Sequence, residues 1–195
     1  MAVGLRIIGG DLKGVALYSP PVGLTRPLRS IVKKSIFDII GAEIIDTSCL
    51  DLFAGSGSIG FEAISRGARN CVFVESNPEV FAVLQKNVDK IRRYVDNSEV
   101  RFRAIKADVE VLLSVGPCDG APFDFVFLDP PFTAQDVAER CLGLLAARIG
   151  WISRGGVVFY QFKRKTDIKN REWRIIDRRT FGDSVVVRLM RNADL

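Results

Sequence analysis

Leu-Asp-Leu-Phe-Ala-Gly-Ser-Gly-Ser-Ile-Gly, residues 50–60, is the stretch of the sequence that decides how this chain folds. It begins inside an apolar run at residues 49–54, which predicts a strand buried on both faces. Three glycines follow, and an amphipathic segment through Arg66 predicts a helix. A strand, a glycine turn and a helix in this order bring backbone N–H groups close to a bound ligand.

Gly55, Gly57 and Gly60 have the spacing of a dinucleotide-binding fingerprint, and Glu75 stands about 20 residues past the first glycine, where a ribose-binding acid is expected. An NAD-dependent oxidoreductase is therefore one hypothesis. Asp51 is evidence against an NAD-dependent enzyme, because a carboxylate in the strand before the loop would repel a pyrophosphate and attract an ammonium group. The sequence also shows no obvious acid for hydride transfer. The loop is thus predicted to hold a ligand that carries positive charge and no phosphate.

Strands and helices are predicted to alternate after the glycine turn. Apolar runs predict strands, capped amphipathic segments predict helices, and a short turn at 181–183 predicts a closing antiparallel pair. The predicted strands are 71–74, 100–105, 125–128, 156–162, 172–177 and 184–190, and the predicted helices are 77–93, 109–115 and 134–149. The fold class that follows is α/β, with a mostly parallel, seven-stranded, Rossmann-like sheet and helices on both faces.

The start of the chain is predicted to form a separate extension. Residues 5–8 and 13–17 flank the turn Gly9-Gly10-Asp11, a pattern typical of a β-hairpin. A helix is then predicted to begin near Thr25 and to end at Gly41. We therefore divide the chain into an N-terminal β-hairpin at 1–24 and one α/β domain at 25–195.

Four carboxylates are predicted at the carboxyl ends of the parallel strands, where ligands of such sheets bind. They are Asp51, Glu75, Asp108 and Asp129. Glu75 can accept hydrogen bonds from both hydroxyls of a ribose. Asp108 can accept from an adenine amino group, with the N–H of Val109 facing a ring nitrogen. An aspartate before a helical run is also a common N-cap, so this second interpretation of Asp108 stays open.

Asp129-Pro130-Pro131-Phe132 is the most specific pattern in the sequence. Two consecutive prolines remove two backbone donors and hold the chain rigid. The Asp129 carboxylate and the Pro130 carbonyl can both accept from one exocyclic amine, which favours a pyramidal nitrogen with an available lone pair. Phe132 offers a flat surface for a base. The pattern predicts catalysis by positioning and electrostatics, whereas its plainer interpretation is a proline turn that ends a strand.

Basic charge is concentrated at the two ends of the chain. Residues 1–40 carry a net charge of +4 and residues 161–195 a net charge of +5, whereas the middle carries −4. This distribution favours a polyanionic partner that approaches a site holding a cationic cofactor. The four cysteines are widely spaced and histidine is absent, so no metal site is expected. Neither a signal-peptide core nor a membrane-spanning stretch is evident, which predicts a cytoplasmic protein.

Taken together, these patterns resemble the S-adenosylmethionine-dependent amino-methyltransferases, and more narrowly the bacterial 16S rRNA guanine-N2 methyltransferases. The resemblance covers almost the whole chain and is carried by Arg6-Ile7-Ile8-Gly9-Gly10, Lys13-Gly14, Thr25-Arg26-Pro27, the 50–57 stretch, Glu62–Ala68 and Phe127–Phe132. The sequence departs from the family's Asp-Arg-Val-Arg-Glu stretch, since Ser-Ile-Val-Lys-Lys stands at 30–34. The helix there is consequently more basic than is usual for the family.

The resemblance implies a class I methyltransferase that transfers a methyl group from S-adenosylmethionine to the exocyclic N2 of a guanine. It further implies a monomer that acts on 16S rRNA or the small ribosomal subunit, without a metal or a membrane. The implied catalytic residues are Asp129, Pro130, Pro131 and Phe132. The implied cofactor-binding residues are Asp51, Phe53, Ala54, Gly55, Gly57, Glu75, Ser76, Asp108 and Val109. The implied RNA-binding residues are Arg6, Lys13, Arg26, Arg29, Lys33, Lys34, Lys163 and Arg164.

Two further functions fit the same patterns less well. Methylation of adenine N6 in DNA uses a similar Asp-Pro-Pro-aromatic tetrad, but 195 residues leave little room for a separate DNA-recognition domain. A non-catalytic RNA-binding assembly factor could share the fold, although it would have no need of an intact Asp-Pro-Pro-Phe. A methyltransferase acting on an exocyclic amine of rRNA is the leading hypothesis.

Overall fold

The computed structural model describes residues 5–21, 30–95, 98–131, 134–165 and 168–192. The strands are β1 (Ser48–Leu52), β2 (Asn70–Glu75), β3 (Arg101–Lys106), β4 (Phe123–Leu128), β5 (Ile152–Lys163), β6 (Trp173–Phe181) and β7 (Ser184–Arg191). The helices are α1 (Ser30–Ile40), α2 (Ser58–Ser65), α3 (Pro78–Arg92), α4 (Val109–Val115) and α5 (Gln135–Ala147), with a 3₁₀ turn at Gly41–Ile44. None of these described helices is both long and apolar enough to cross a membrane.

All seven strands form one sheet in the order β3-β2-β1-β4-β5-β7-β6. The five strands β3, β2, β1, β4 and β5 are parallel to one another. β7 is antiparallel to both β5 and β6. The prediction of a mostly parallel, seven-stranded α/β sheet is therefore confirmed. The strand order reverses at β1, which lies between β2 and β4. Ligands bind at such a switch point, beyond the carboxyl ends of the strands.

The ends of three strands lie level at this switch point. Leu52 of β1 is paired with Val74 on one side and with Leu128 on the other. Adjacent strands are about 4.8 Å apart, so the residues that follow these three stand side by side at the edge of the sheet. The residues concerned are Phe53, Glu75 and Asp129.

The sheet is covered on both faces, which explains the unbroken apolar runs of its central strands. One core cluster contains Phe61, Phe73 and Phe127 together with α1, α2 and α3. The other contains Leu50 and Trp151 together with α4 and α5. The aromatic rings interlock: the centroids of Phe61 and Phe73, for example, are 4.6 Å apart. This packing makes the central strands a rigid support for the loops at their ends.

The two sides of the predicted N-terminal hairpin are paired by an antiparallel bridge between Arg6 and Ala16 and by three backbone hydrogen bonds, from Ile7 N–H to Val15, from Gly14 N–H to Ile7 and from Leu17 N–H to Leu5. Other backbone donors of this segment bind α2. Ile8 N–H donates to the carboxylate of Glu62, and Leu12 N–H donates to the hydroxyl of Ser65, both on α2. We call residues 5–21 the N-terminal arm. The division of the chain at residue 25 stays a prediction, and the predicted helix start at Thr25 lies outside the described residues.

Candidate active site

The loop after β1 has a backbone that reverses sharply. Phe53, Gly55 and Gly57 have φ values of 60°, 58° and 80°, all in the left-handed region. A Cβ at Gly57 would lie 2.5 Å from the ring of Phe61 and 2.7 Å from the side chain of Leu84. Glycine is therefore required at this position, both by conformation and by space. We call residues 53–57 the glycine loop.

Asp51 lies below the glycine loop with its side chain buried. Its Oδ2 accepts a hydrogen bond of 3.0 Å from the backbone N–H of Gly60 in α2. Burial raises the pKa of the Asp51 carboxyl well above its usual range, and the negative charges of Asp129 and Glu75 raise that pKa further. Gly60 N–H opposes these effects. The structure thus brings three of the four predicted carboxylates within electrostatic reach of one another.

Glu75 ties the glycine loop to the start of α3. Its two carboxylate oxygens accept from different backbone donors: Oε2 from Gly55 N–H at 3.0 Å and Oε1 from Asn77 N–H at 2.8 Å. The side chain of Asn77 in turn caps α3 by accepting from the N–H groups of Glu79 and Val80. The Glu75 residue is 9% exposed. It shapes the loop and retains lone pairs that can accept from a ligand.

Asp108 is the N-cap of α4, as its second interpretation proposed. Its Oδ1 accepts from Val111 N–H at 3.0 Å, and its side chain is exposed beyond the end of β3. Val109 is buried. A cap does not exclude a contact with a ligand, because a carboxylate can accept several hydrogen bonds. The proposed contact of Asp108 and Val109 with an adenine stays a prediction.

Asp129 directly follows β4 and faces the same switch point as Asp51 and Glu75. Burial raises the pKa of its carboxyl to about 7. Among the described residues, none donates a hydrogen bond to this carboxylate, so its acceptor capacity is available. Pro130 is buried, and the carbonyl of Pro131 accepts from Ala134 N–H at 2.8 Å. Phe132 lies outside the described residues.

The predicted RNA-binding residues divide into three groups. Arg6, Lys13, Lys34, Lys163 and Arg164 are exposed, as an RNA contact requires. Arg26 and Arg29 lie outside the described residues. The prediction that Lys33 contacts RNA was wrong. Of the members of this set that the structure describes, Lys33 is the buried one.

Lys33 is 1% exposed and cannot contact RNA in this structure. Its ammonium group donates to the carbonyl of Arg6 at 2.9 Å and to the hydroxyl of Ser58 at 3.0 Å, and it lies 3.1 Å from the carboxylate of Glu62. Three acceptors thus satisfy the three ammonium protons, so a charged side chain can be buried there. Lys33 also borders the apolar stripe of α1, which carries it inward together with Phe37.

Asn87 was missed from the sequence. It is fully buried on α3 and hydrogen-bonds both the N-terminal arm and the glycine loop. A signal was present, because Asn87 stands within the apolar stripe formed by Val80, Leu84, Val88 and Ile91. A polar residue at such a position must find partners inside the protein.

The sheet order, the antiparallel seventh strand and the glycine loop next to paired strand-end carboxylates define a class I methyltransferase fold. The solved structure of yhhF from Escherichia coli, assigned as a methyltransferase, matches with a TM-score of 0.81 and 26% identity, over 96% of this chain and 98% of that one. An RNA methyltransferase from Salinibacter ruber, solved with S-adenosyl-L-homocysteine, shares the fold at 19% identity and a TM-score of 0.61, over 84% and 92% of the two chains.

The family model described as "Conserved hypothetical protein 95" matches residues 5–190, and the chain belongs to this family. A relative from Haemophilus influenzae, named ribosomal RNA small subunit methyltransferase D, is 32% identical over 179 residues. The match covers 91% of this chain and 89% of the relative.

Proposed function

We propose that the protein transfers a methyl group from S-adenosylmethionine to the exocyclic N2 amine of a guanine in small-subunit rRNA. The observation that carries the proposal is the grouping of Asp51, Glu75 and Asp129 at level strand ends, with two prolines behind the last of them. The name of the Haemophilus influenzae relative supports rRNA as the substrate. The Asp-Pro-Pro-Phe pattern supports an exocyclic amine as the methyl acceptor.

The residues at the site fit a cationic cofactor. Asp51 is buried and Asp129 is half-buried, and loss of solvent raises the pKa of both carboxyls, so their ionised forms lack the stabilisation that a positive charge would provide. A pyrophosphate at the same place would add negative charge and be repelled. S-adenosylmethionine supplies a sulfonium-bound methyl group that is already activated for transfer. Glu75 would accept from the ribose hydroxyls, and Asp51 would attract the ammonium group.

Asp129 would act as the acceptor for the substrate amine. Its ionised carboxylate, together with the Pro130 carbonyl, would accept both N–H groups of the guanine N2. The lone pair of that nitrogen would then be withdrawn from the ring and become available for attack. The proline pair limits the freedom of this segment, so the acceptors need not reorganise during the reaction.

Experiments on the wild-type protein test the proposed cofactor and the proposed substrate. We expect calorimetry to show binding of S-adenosylhomocysteine and no binding of NAD. Radiolabelled methyl groups should pass to 30S particles from cells that lack the enzyme, and mapping should locate the label on a guanine N2. Binding of NAD alone would support the oxidoreductase hypothesis. Label on adenine N6 of DNA would support a DNA methyltransferase, and cofactor binding without transfer to any nucleic acid would support an assembly factor.

The exposed basic residues of the N-terminal arm would contact the RNA backbone. Replacing both Arg6 and Lys13 by Glu should weaken RNA binding and flatten its dependence on salt, by about 0.7–0.9 in the slope of log K against log salt concentration for each phosphate that is no longer neutralised. Filter-binding titrations at several salt concentrations measure this slope. The matched control is Arg154→Glu, an exposed arginine near the start of β5, at the amino ends of the parallel strands. Equal slopes for the two variants would remove the arm from the RNA-binding surface.

A further inference from the structure

We propose that Asn87 and Lys33 are positioning residues that tie the N-terminal arm to the glycine loop, so that binding at the loop and ordering of the arm reinforce each other. This inference rests on the proposed function, because it takes the loop as a cofactor site and the arm as an RNA contact. Neither side chain needs to touch the cofactor or the reacting amine. Both act through the backbone and side chains that they hold.

Asn87 is shared between the arm and the loop. Its side-chain NH₂ group donates to the carbonyl of Ser56 in the glycine loop at 2.9 Å and to the carbonyl of Tyr18 in the arm at 3.0 Å. Its side-chain oxygen accepts from Tyr18 N–H at 2.8 Å. Both donors and the acceptor of one fully buried amide are therefore used. The Asn87 amide pairs with the N–H and the carbonyl of Tyr18 as a neighbouring strand would. The same amide also hydrogen-bonds Ser56 in the middle of the glycine loop.

Lys33 makes a second link on α1. Its ammonium group donates to the carbonyl of Arg6 in the arm and to the hydroxyl of Ser58, the first residue of α2 after the glycine loop. Its charge is balanced by Glu62, whose Oε2 also accepts from Ile8 N–H of the arm at 2.8 Å. The buried group thus joins the arm to the residue that directly follows the loop.

The arm also binds the carboxyl-terminal end of α2. Ser65 Oγ donates to the carbonyl of Gly9 at 2.6 Å and accepts from Leu12 N–H at 2.9 Å. The carbonyl of Ser65 accepts from Asp11 N–H at 2.8 Å. These hydrogen bonds hold the arm against the helix that the glycine loop opens, but they lie a full helix length away from the loop. Asn87 and Lys33 differ from Ser65 because each of them hydrogen-bonds the arm and also a residue in the glycine loop or directly after it.

The arm and the glycine loop are coupled because the side chains of Asn87 and Lys33 are buried and their polar atoms are hydrogen-bonded to both segments. If the loop shifts, Asn87 or Lys33 must either move the arm as well or leave a buried polar group without a partner, which is costly. A ligand that fixes the loop therefore favours the bound position of the arm. By thermodynamic reciprocity, RNA that fixes the arm favours ligand binding at the loop, with a coupling on the order of 5- to 150-fold in affinity as is typical of linked sites. The glycine loop would accordingly be best ordered when both are present.

The test measures arm order without any need for RNA or turnover. Hydrogen–deuterium exchange of residues 5–18 is followed in the wild-type chain with and without saturating S-adenosylhomocysteine. We expect the ligand to slow exchange in the peptide containing Leu17 and Tyr18 by about tenfold. In Asn87→Leu, which keeps a similar volume and removes all three hydrogen bonds, the ligand should bind about tenfold more weakly and should no longer slow exchange in the arm.

Lys33 provides a second pair of variants that does not depend on the folding of Asn87→Leu. Lys33→Met removes the donors, and Lys33→Arg keeps a charged donor. The first should lose the ligand-induced protection at residues 5–8, and the second should retain it. Ser153→Ala is the matched control, because it removes hydrogen bonds to Asp124 and Phe123 far from the arm and the loop. It should retain the full protection.

The outcomes separate this inference from the proposed function. Binding of S-adenosylhomocysteine without any slowing of arm exchange in the wild-type chain would overturn the coupling and leave the cofactor assignment intact. Equal slowing in the wild-type chain, Asn87→Leu and Lys33→Met would also overturn it. Failure of the wild-type chain to bind the ligand at all would overturn the cofactor assignment and the coupling with it.

Discussion

Asp129→Asn is expected to lose methyl transfer by about 10³-fold and to bind S-adenosylhomocysteine as the wild-type protein does. Asparagine has the same shape, but it has no charge and places an NH₂ group where the substrate amine needs an acceptor. Asparagine therefore offers the substrate amine a single neutral acceptor oxygen, whereas the wild-type carboxylate forms stronger, charge-assisted hydrogen bonds. Radiolabelled transfer measures the loss, and calorimetry measures cofactor binding. Turnover close to that of the wild-type protein would remove Asp129 from the mechanism.

The same substitution is expected to stabilise the fold at neutral and alkaline pH. The pKa of Asp129 is raised from 3.8 to about 7 by burial, so between these values the folded protein holds a proton that the unfolded chain has released. The contribution of this carboxyl to stability therefore falls as the pH rises from about 4 to about 7. Above pH 7 the ionised, buried group costs as much as about 4 kcal/mol, and Asp129→Asn removes that cost.

Thermal unfolding of the two proteins at several pH values checks this expectation. The difference in unfolding free energy should be small near pH 4, should grow through pH 5–7 and should then level off. Activity should follow the opposite course, since transfer by the wild-type protein requires the ionised carboxylate and should rise with pH through about 7. A variant less stable than the wild-type protein at pH 8 would contradict this account of Asp129.

Glu75→Gln is expected to weaken S-adenosylhomocysteine binding by about 100-fold and to destabilise the fold by about 1–3 kcal/mol. Each oxygen of the wild-type carboxylate accepts from a different backbone N–H, one in the glycine loop and one at the start of α3. Glutamine has one acceptor oxygen, so its NH₂ group must face one of these donors. Either Gly55 or Asn77 then loses its partner, and the loop loses the shape that fits the ligand.

Glu79→Gln is the matched control for Glu75→Gln. It changes the same residue type in the first turn of α3, where the side chain is exposed, and should leave binding unchanged. Calorimetry with S-adenosylhomocysteine and thermal unfolding provide the two readouts. If Glu75→Gln bound the ligand with wild-type affinity, the carboxylate would have no role in shaping the loop or in holding the cofactor.

The sequence was sufficient to predict the alternation of strands and helices, because continuous apolar runs and capped amphipathic segments are local features. It was sufficient also to place Asp51, Glu75 and Asp129 at one edge, since the carboxyl ends of parallel strands meet there. Strand lengths were underestimated where polar residues are involved. β6, for example, extends to Phe181 although most of its side chains are exposed, because its backbone is paired with β7.

The errors concern polar groups whose partners are distant in sequence. A basic residue on a helix is typical of an exposed face, and nothing local indicates that Glu62 and Ser58 surround Lys33. The turn at residues 9–11 predicted the pairing across the hairpin correctly, but nothing local indicates that the N–H groups of Ile8 and Leu12 donate to α2. Tertiary hydrogen bonds of this kind override local propensity, and a single sequence does not display them.

The order of synthesis has a bearing on the N-terminal arm. The side chains of Glu62, Ser65 and Asn87 accept hydrogen bonds from its backbone. These residues stand 53 to 69 residues later in the chain than the arm residues they bind. The arm is therefore translated well before these three partners, and contacts of such long range form late because a large loop must first be closed. The arm is thus expected to dock after the sheet has formed.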